Sequence, residues 1–149
     1  MKTGERVSGL DQALGILHKY YGYPSFKPIQ ERAVNSILSG RDTFVIMPTG
    51  GGKSVCYQVP ALLFEGLTIV ISPLISLMKD QVDNLEALGV HAAYINSTLN
   101  AQEYMAVKRR VYSREVKILY VAPERLYVAD FAELLAGLRV DFVDRKSVV

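Results

Sequence analysis

Met47-Pro48-Thr49-Gly50-Gly51-Gly52-Lys53-Ser54 is the segment of this sequence whose residue types and spacing point most directly to chemistry. Its run of glycines lets the backbone curl so that N–H groups point inward. Those donors, with the positive end of a following helix, suit a polyphosphate. Lys53 can reach the β and γ phosphates as a point charge, and the Ser54 hydroxyl can ligate Mg²⁺. Thr49, Gly50, Gly51, Gly52, Lys53 and Ser54 are therefore the candidate site for a nucleoside triphosphate, with Lys53 the candidate catalytic group and Ser54 the candidate metal ligand. The strict pattern asks for glycine where Met47 stands, a position that some motor ATPases relax. The plainer reading is a glycine-rich turn with a solvated lysine. It is disfavoured because Gly-Lys-Ser lies between an apolar run and a helical pattern, the context a phosphate loop requires.

Other loops carry weaker signals. In Tyr23-Pro24-Ser25-Phe26-Lys27-Pro28-Ile29-Gln30, the Gln30 amide offers both a donor and an acceptor, which can match the two-faced edge of adenine. An aromatic ring nearby can stack on the base. Ile71-Ser72-Pro73-Leu74 and Val121-Ala122-Pro123-Glu124-Arg125 each place a proline just past an apolar run. Helix starts and hydroxyls there can hold nucleic-acid phosphates, although prolines also simply start helices. Lys108, Arg109, Arg110, Arg114 and Lys117 cluster in sequence, and read first as a solvated helix face, with a phosphate footprint as the alternative. His18 and His91 are isolated, and no metal-ligand spacing is present. Cys56, the single cysteine, is expected in the core.

The elements that must position these loops follow from periodicity. Leu10, Leu14, Leu17 and Tyr21 recur at helical spacing. Pro28 opens a second helix, which Gly40 ends. Short apolar runs at Thr43–Met47, Leu67–Ile71, Ala92–Ile95, Ile118–Val121 and Val140–Val143 predict strands. Helical patterns near Lys53–Phe64, Ser76–Leu88, Ala101–Tyr112 and Ala129–Leu138 alternate with them. Continuous apolar strands separated by helices indicate an α/β fold with a parallel sheet covered on both faces. Ligands then sit at the carboxyl ends of the strands, where the chemistry-bearing loops fall.

In this order, the segments resemble the first motor domain of the RecQ family of superfamily-two DNA helicases, from about Leu14 to about Leu126. Gly22 to Gln30 resembles the family's adenine-reading motif. Met47 to Ala61 resembles its phosphate loop, and Ile71-Ser-Pro-Leu-Ile-Ser-Leu-Met-Lys-Asp-Gln-Val82 is similar to its next motif. Asn96-Ser97-Thr98 and Ala122-Pro123-Glu124-Arg125-Leu126 complete the set. The resemblance implies a P-loop NTPase fold of RecA type. It implies that Phe26, Lys27 and Gln30 recognise adenine, and that Gly50 to Ser54 hold ATP and Mg²⁺. Ser72, Pro73, Leu74, Asn96, Glu124 and Arg125 would face single-stranded DNA. An intact enzyme of this kind is an ATP-driven 3′–5′ translocase that unwinds duplex DNA and DNA junctions in repair and recombination. The match over Ile71 to Val82 speaks against a small-molecule kinase. A non-catalytic ATP- or DNA-binding module is the other alternative.

The sequence departs from this pattern late. The family's next strand ends in Asp-Glu-Ala-His, carboxylates that ligate Mg²⁺ and position the attacking water. Here Val140-Asp141-Phe142-Val143 resembles the start of that strand, but Asp144-Arg145-Lys146-Ser147-Val148-Val149 follows. Residues 1–143 read as the front of an ATP-binding domain, incomplete at its C-terminus. Residues 144–149 read as a non-family tail from a truncation or frameshift, the remainder of the helicase being the missing partner. Asp144 comes too early and precedes Arg145 rather than glutamate. The expectation is a chain that hydrolyses no ATP at a useful rate. In related motor domains a later strand also lies between the phosphate-loop strand and the acidic strand. Its absence predicts unpaired sheet edges and marginal stability.

Composition bounds this reading without supplying it. The 149 residues suit one domain. Half are hydrophobic and 21% charged, which excludes disorder, and one cysteine excludes a disulfide scaffold. A net charge of +2 means any basic site is local. Met1 to Leu10 lacks the apolar core and cleavage site of a secretory signal. No apolar stretch approaches membrane-spanning length. A soluble, cytoplasmic protein is expected, nucleoid-associated if bacterial.

Overall fold

A computed structural model describes residues 8–48, 50 and 52–146. The chain divides into two compact units, Met1–Leu63 and Phe64–Val149.

The first unit is helical. Helix α1 (Gly9–Ile16) starts at Ser8, whose hydroxyl accepts from the Asp11 N–H at 3.1 Å. It runs on through a wider π-helical turn, Leu17–Tyr21, and stops at Gly22, where φ is +69°. Helix α2 (Pro28–Leu38) opens on proline, whose missing N–H would have had no helical acceptor. Helix α3 (Lys53–Leu63) begins at the phosphate-loop lysine. The three meet through Ala13, Leu17, Phe26, Val34, Val55 and Val59, the buried core of this unit.

The expected strand Thr43–Met47 is not formed. Residues 41–48 belong to no helix or strand, and Phe44 and Ile46 are 88% and 74% exposed. The apolar run has strand propensity, but a strand exists only as part of a hydrogen-bonded ladder. Among the described residues none supplies that ladder. Propensity alone does not fix the conformation here.

The second unit is a sheet with helices. Strands β1 (Leu67–Ile71), β2 (Ala92–Ile95), β3 (Ile118–Val121) and β4 (Val140–Arg145) lie parallel in the order β2-β3-β1-β4. Helices α4 (Ile75–Ala87), α5 (Ala101–Tyr112) and α6 (Ala129–Ala136) make the crossovers. The step from β1 to β2 runs one way along the sheet, while the next two steps run back. Right-handed crossovers therefore put α4 on one face, and α5 and α6 on the other. Packing agrees: Val111 of α5 and Phe131 and Leu134 of α6 share a core with Leu67, Ile69, Leu119 and Val121. The alternate residues Val70, Ile118 and Tyr120 are fully buried too, as expected of a sheet covered on both faces.

A polar clamp fixes the entry to β1. Asp141 accepts from the Gly66 N–H at 2.8 Å. That bond first, and Arg139 second, hold its carboxyl below the usual range. A Cβ on Gly66 would lie 2.8 Å from the Arg139 carbonyl oxygen, so only glycine fits. Lys117 donates to the Phe64 carbonyl; burial lowers its pKa, opposed by Asp141 and Glu65. The clamp sets β4 beside β1, with a register shift between Leu67 and Thr68. β4 extends through Asp144 and Arg145, two residues past the expected strand.

Candidate functional site

In the first unit, the phosphate loop runs straight into the N-terminus of α3. Gly50 and Gly52 both have φ of +81°, in the left-handed region that other residues resist. Lys53 and Ser54 are exposed in the first turn of α3. This combination of left-handed glycines, a helix N-terminus and an exposed lysine fits a polyphosphate. The Ser54 hydroxyl stands exposed beside Lys53, and the described residues gather no group of three or more His, Cys, Asp or Glu side chains around a metal position. Thr49 and Gly51 lie outside the described residues.

The loop is tied from both ends. Met47 is buried against Ala33 and Cys56, with the Cys56 Sγ 3.6 Å from the Met47 Sδ. The residue that departs from the strict motif thus anchors the start of the loop, as a flexible thioether can. At the other end, Gln30 is 5% exposed and donates from Nε2 to the Gly52 carbonyl at 3.1 Å. Its Oε1 accepts from the Lys27 N–H at 2.9 Å. A primary amide has two donors and two acceptor lone pairs. One of each is used here, and one of each is left. A Cβ on Gly52 would come within 2.3 Å of the Gln30 Nε2, so the glutamine closes directly over the loop.

Phe26 is buried in the helical core rather than presented to a ligand. Tyr23, in the same turn, is 55% exposed and stacked on Tyr21 with ring centroids 6.5 Å apart. Phe26 is the aromatic residue that the family resemblance points to, and the signal for Tyr23 is its place in a Gly-Tyr-Pro turn beside it.

In the second unit, the loops after β1, β2 and β3 leave the same edge of the sheet. Ser72 is fully buried, and its Oγ accepts from the Leu74 N–H at 3.2 Å. Pro73 and Leu74 lie outside it on the surface. Asn96 is 1% exposed. Its Oδ1 accepts from the Thr98 N–H at 2.9 Å and its Nδ2 lies 3.5 Å from the Met78 Sδ. What Asn96 offers its surroundings is its carbonyl, which accepts from the Arg125 guanidinium at 3.2 Å. Glu124 and Arg125 sit on a short 3-10 turn, Pro123–Tyr127, with Glu124 exposed and Arg125 half-buried.

Arg125 also lies over the Tyr104 ring, 5.6 Å from its centroid, and Lys108 over the same ring at 5.5 Å. Lys108 pairs with Asp130 at 3.1 Å. Burial and a hydrogen bond to Asp130 push the Tyr104 hydroxyl up to about 12. This group was missed in sequence because its members come from α5, the 3-10 turn and α6. The basic cluster does not hold together as one footprint. Lys108 faces Asp130, Arg110 pairs with Glu86 and Glu115, and Lys117 turns to the Phe64 carbonyl. No helix among the described residues is long and apolar enough to cross a membrane.

Comparison with known proteins supplies the family. The family model for DEAD/DEAH box helicases matches residues 27–142. The chain is 51% identical over 131 residues to the ATP-dependent DNA helicase RecQ of Pasteurella multocida, covering 88% of this chain and 21% of that protein. It is 50% identical over 135 residues to RecQ of Bacillus subtilis, covering 90% and 23%. To the ATP-dependent DNA helicase Q5 of Rattus norvegicus it is 46% identical over 126 residues, covering 82% and 13%. The chain thus spans about a fifth of the length of the bacterial relatives. Among solved structures, a hypothetical ATP-dependent RNA helicase from Sulfolobus tokodaii superposes with a TM-score of 0.57 at 18% identity. The superposition covers 94% of this chain and 50% of that one, and shows the shared fold. Phosphate loop, parallel sheet and strand-end loops therefore sit in a chain that belongs to the DEAD/DEAH box helicase family.

Proposed function

We propose that this chain is the ATP-binding front of an ATP-dependent 3′–5′ DNA helicase of the RecQ kind. The observation that carries the reading is the closure of Gln30 over Gly52 at the start of α3. It joins an adenine-reading amide to a polyphosphate cradle in one unit. The spare donor and acceptor of Gln30 would pair with adenine, and Tyr23, the exposed ring, would stack on it. Lys27 would stand nearby as a charge. The N–H groups around Gly50 to Gly52 and the Lys53 ammonium would hold the phosphates, and Ser54 would ligate Mg²⁺. Bound ATP supplies the energy of phosphoryl transfer. The loops carrying Ser72, Pro73, Leu74, Asn96, Glu124 and Arg125 would line the path of single-stranded DNA. The protein would act on DNA in the cytoplasm, in repair and recombination. Residues 1–143 are read as family sequence and 144–149 as foreign to it, which the family match ending at residue 142 supports. The nucleotide sequence tests that division: a shifted frame encoding Asp-Glu-Ala-His supports it.

ATP binding tests the core of the reading. A titration with a fluorescent ATP analogue should show Mg²⁺-dependent binding that Lys53→Ala weakens by about 10- to 100-fold, the range of a charge-assisted contact. Equal affinity in wild type and variant would remove the phosphate-loop assignment.

A further inference from the structure

Arg125 is held by one motif residue, Asn96, and by one residue outside every motif, Tyr104. Its guanidinium donates to the buried Asn96 backbone and lies on the Tyr104 ring. No carboxylate forms an ion pair with it among the described residues. The second cation over that ring, Lys108, is by contrast neutralised by Asp130. The Asp130 carboxylate of α6 also lies close enough to the Tyr104 hydroxyl for each to shift the other's pKa, Asp130 down and Tyr104 up. One ring thus carries two cations, Lys108 in an ion pair with Asp130 and Arg125 within that carboxylate's field but in no ion pair among the described residues. A guanidinium has five N–H donors in a rigid plane. One is spent on Asn96, and stacking on an aromatic face leaves the edge of the plane open to a planar or phosphate acceptor.

We propose that Tyr104 is a positioning residue, which with Lys108 and Asp130 aims the free edge of Arg125 at a backbone phosphate of single-stranded DNA. The proposal rests on the DNA-binding reading above. It explains why α5, which carries none of the family motifs, contributes a half-buried tyrosine at the carboxyl edge of the sheet. It also assigns Lys108 a structural charge pair rather than a place in a basic footprint. Tyr104 itself need not touch DNA.

Two readouts on the full chain test it. The first is anisotropy of a labelled oligothymidylate, measured over a range of salt. Arg125→Gln should lower affinity and reduce the salt slope by about 0.7, one phosphate contact to a single strand. Tyr104→Leu should weaken binding about two- to fivefold, the range of an exposed cation–π contact. Tyr104→Phe, which keeps the ring, should bind nearly as wild type. In the double variant, Tyr104→Leu should add nothing to Arg125→Gln. The second readout is the Arg125 Nε–H resonance in the free protein, which should carry a ring-current shift in wild type and Tyr104→Phe and lose it in Tyr104→Leu. An unmoved resonance, or additive losses in the double variant, would overturn the role of Tyr104. A wild-type chain that shows the resonance shift but binds no oligonucleotide would instead overturn the DNA reading.

Discussion

The two units support their candidate loops in different ways. In the unit ending at Leu63, the phosphate loop is preceded by an apolar segment with no ladder, and Phe44 and Ile46 are left exposed. In the unit starting at Phe64, the strand-end loops stand on a four-stranded parallel sheet whose central strands β1 and β3 are paired on both sides. A loop is only as rigid as its support. The candidate nucleotide loop is held locally, by Gln30 on Gly52 and by Met47 on Cys56. The candidate DNA loops are held by a sheet. Local side-chain contacts and sheet hydrogen bonds are two ways to position a loop, and they fail differently.

Hydrogen exchange gives the largest expected contrast. Amides of Thr43–Met47, with no ladder, should exchange near the rate of an unstructured peptide. Those of Ile69, Val70, Leu119 and Tyr120 lie in central strands and should be slower by about 10³-fold or more, since core strands open only with the global transition. Equal protection in the two segments would show that the apolar run finds ladder partners in solution, and the contrast would disappear.

A single methyl group probes the local tether. Gly52→Ala places a Cβ 2.3 Å from the Gln30 Nε2 and forces alanine to φ of +81°. The left-handed backbone alone costs roughly 1–2 kcal/mol, and the Gln30 bond must give way. Nucleotide affinity should fall about tenfold, while exchange from β1 and β3 should not change. Loss of protection in β1 and β3 as well would mean that the two units do not respond separately.

The sequence made the sheet legible but not its absence. Leu67–Ile71, Ala92–Ile95 and Ile118–Val121 were predicted at their observed boundaries, because buried parallel strands are continuous apolar runs between helices. Thr43–Met47 has the same character and forms no strand. Pairing depends on a partner that the run itself does not encode. The turn before α3 was legible because glycine is the residue type that accepts the positive φ found at Gly50 and Gly52. The burial of Phe26 and of the Asn96 side chain was not legible, since a motif says which residue is needed and not which of its faces is used. The Tyr104 group was hidden for another reason. Its residues are far apart in sequence, and only the α5 and α6 crossovers bring them together.

The smallest expected effect concerns the edge of the sheet. Asp144 lies in β4 opposite Val70 and is mostly buried; burial pushes its carboxyl above the usual range, while Lys146, 3.8 Å away, opposes that shift. A carboxyl whose pKa is higher folded than unfolded binds its proton more tightly in the native state. Its charged form therefore disfavours folding at neutral pH, and that penalty is relieved as pH falls through the folded value toward the unfolded one. Asp144→Asn removes the charge and keeps the shape. The variant should be slightly more resistant to urea than wild type at pH 7, and the difference should shrink as pH falls through the acid range. Nucleotide affinity should be unchanged, since the tether over Gly52 involves no residue of β4. A variant less stable at pH 7 would mean that the ion pair with Lys146 outweighs desolvation. The edge of the sheet would then be held by charge rather than strained by it.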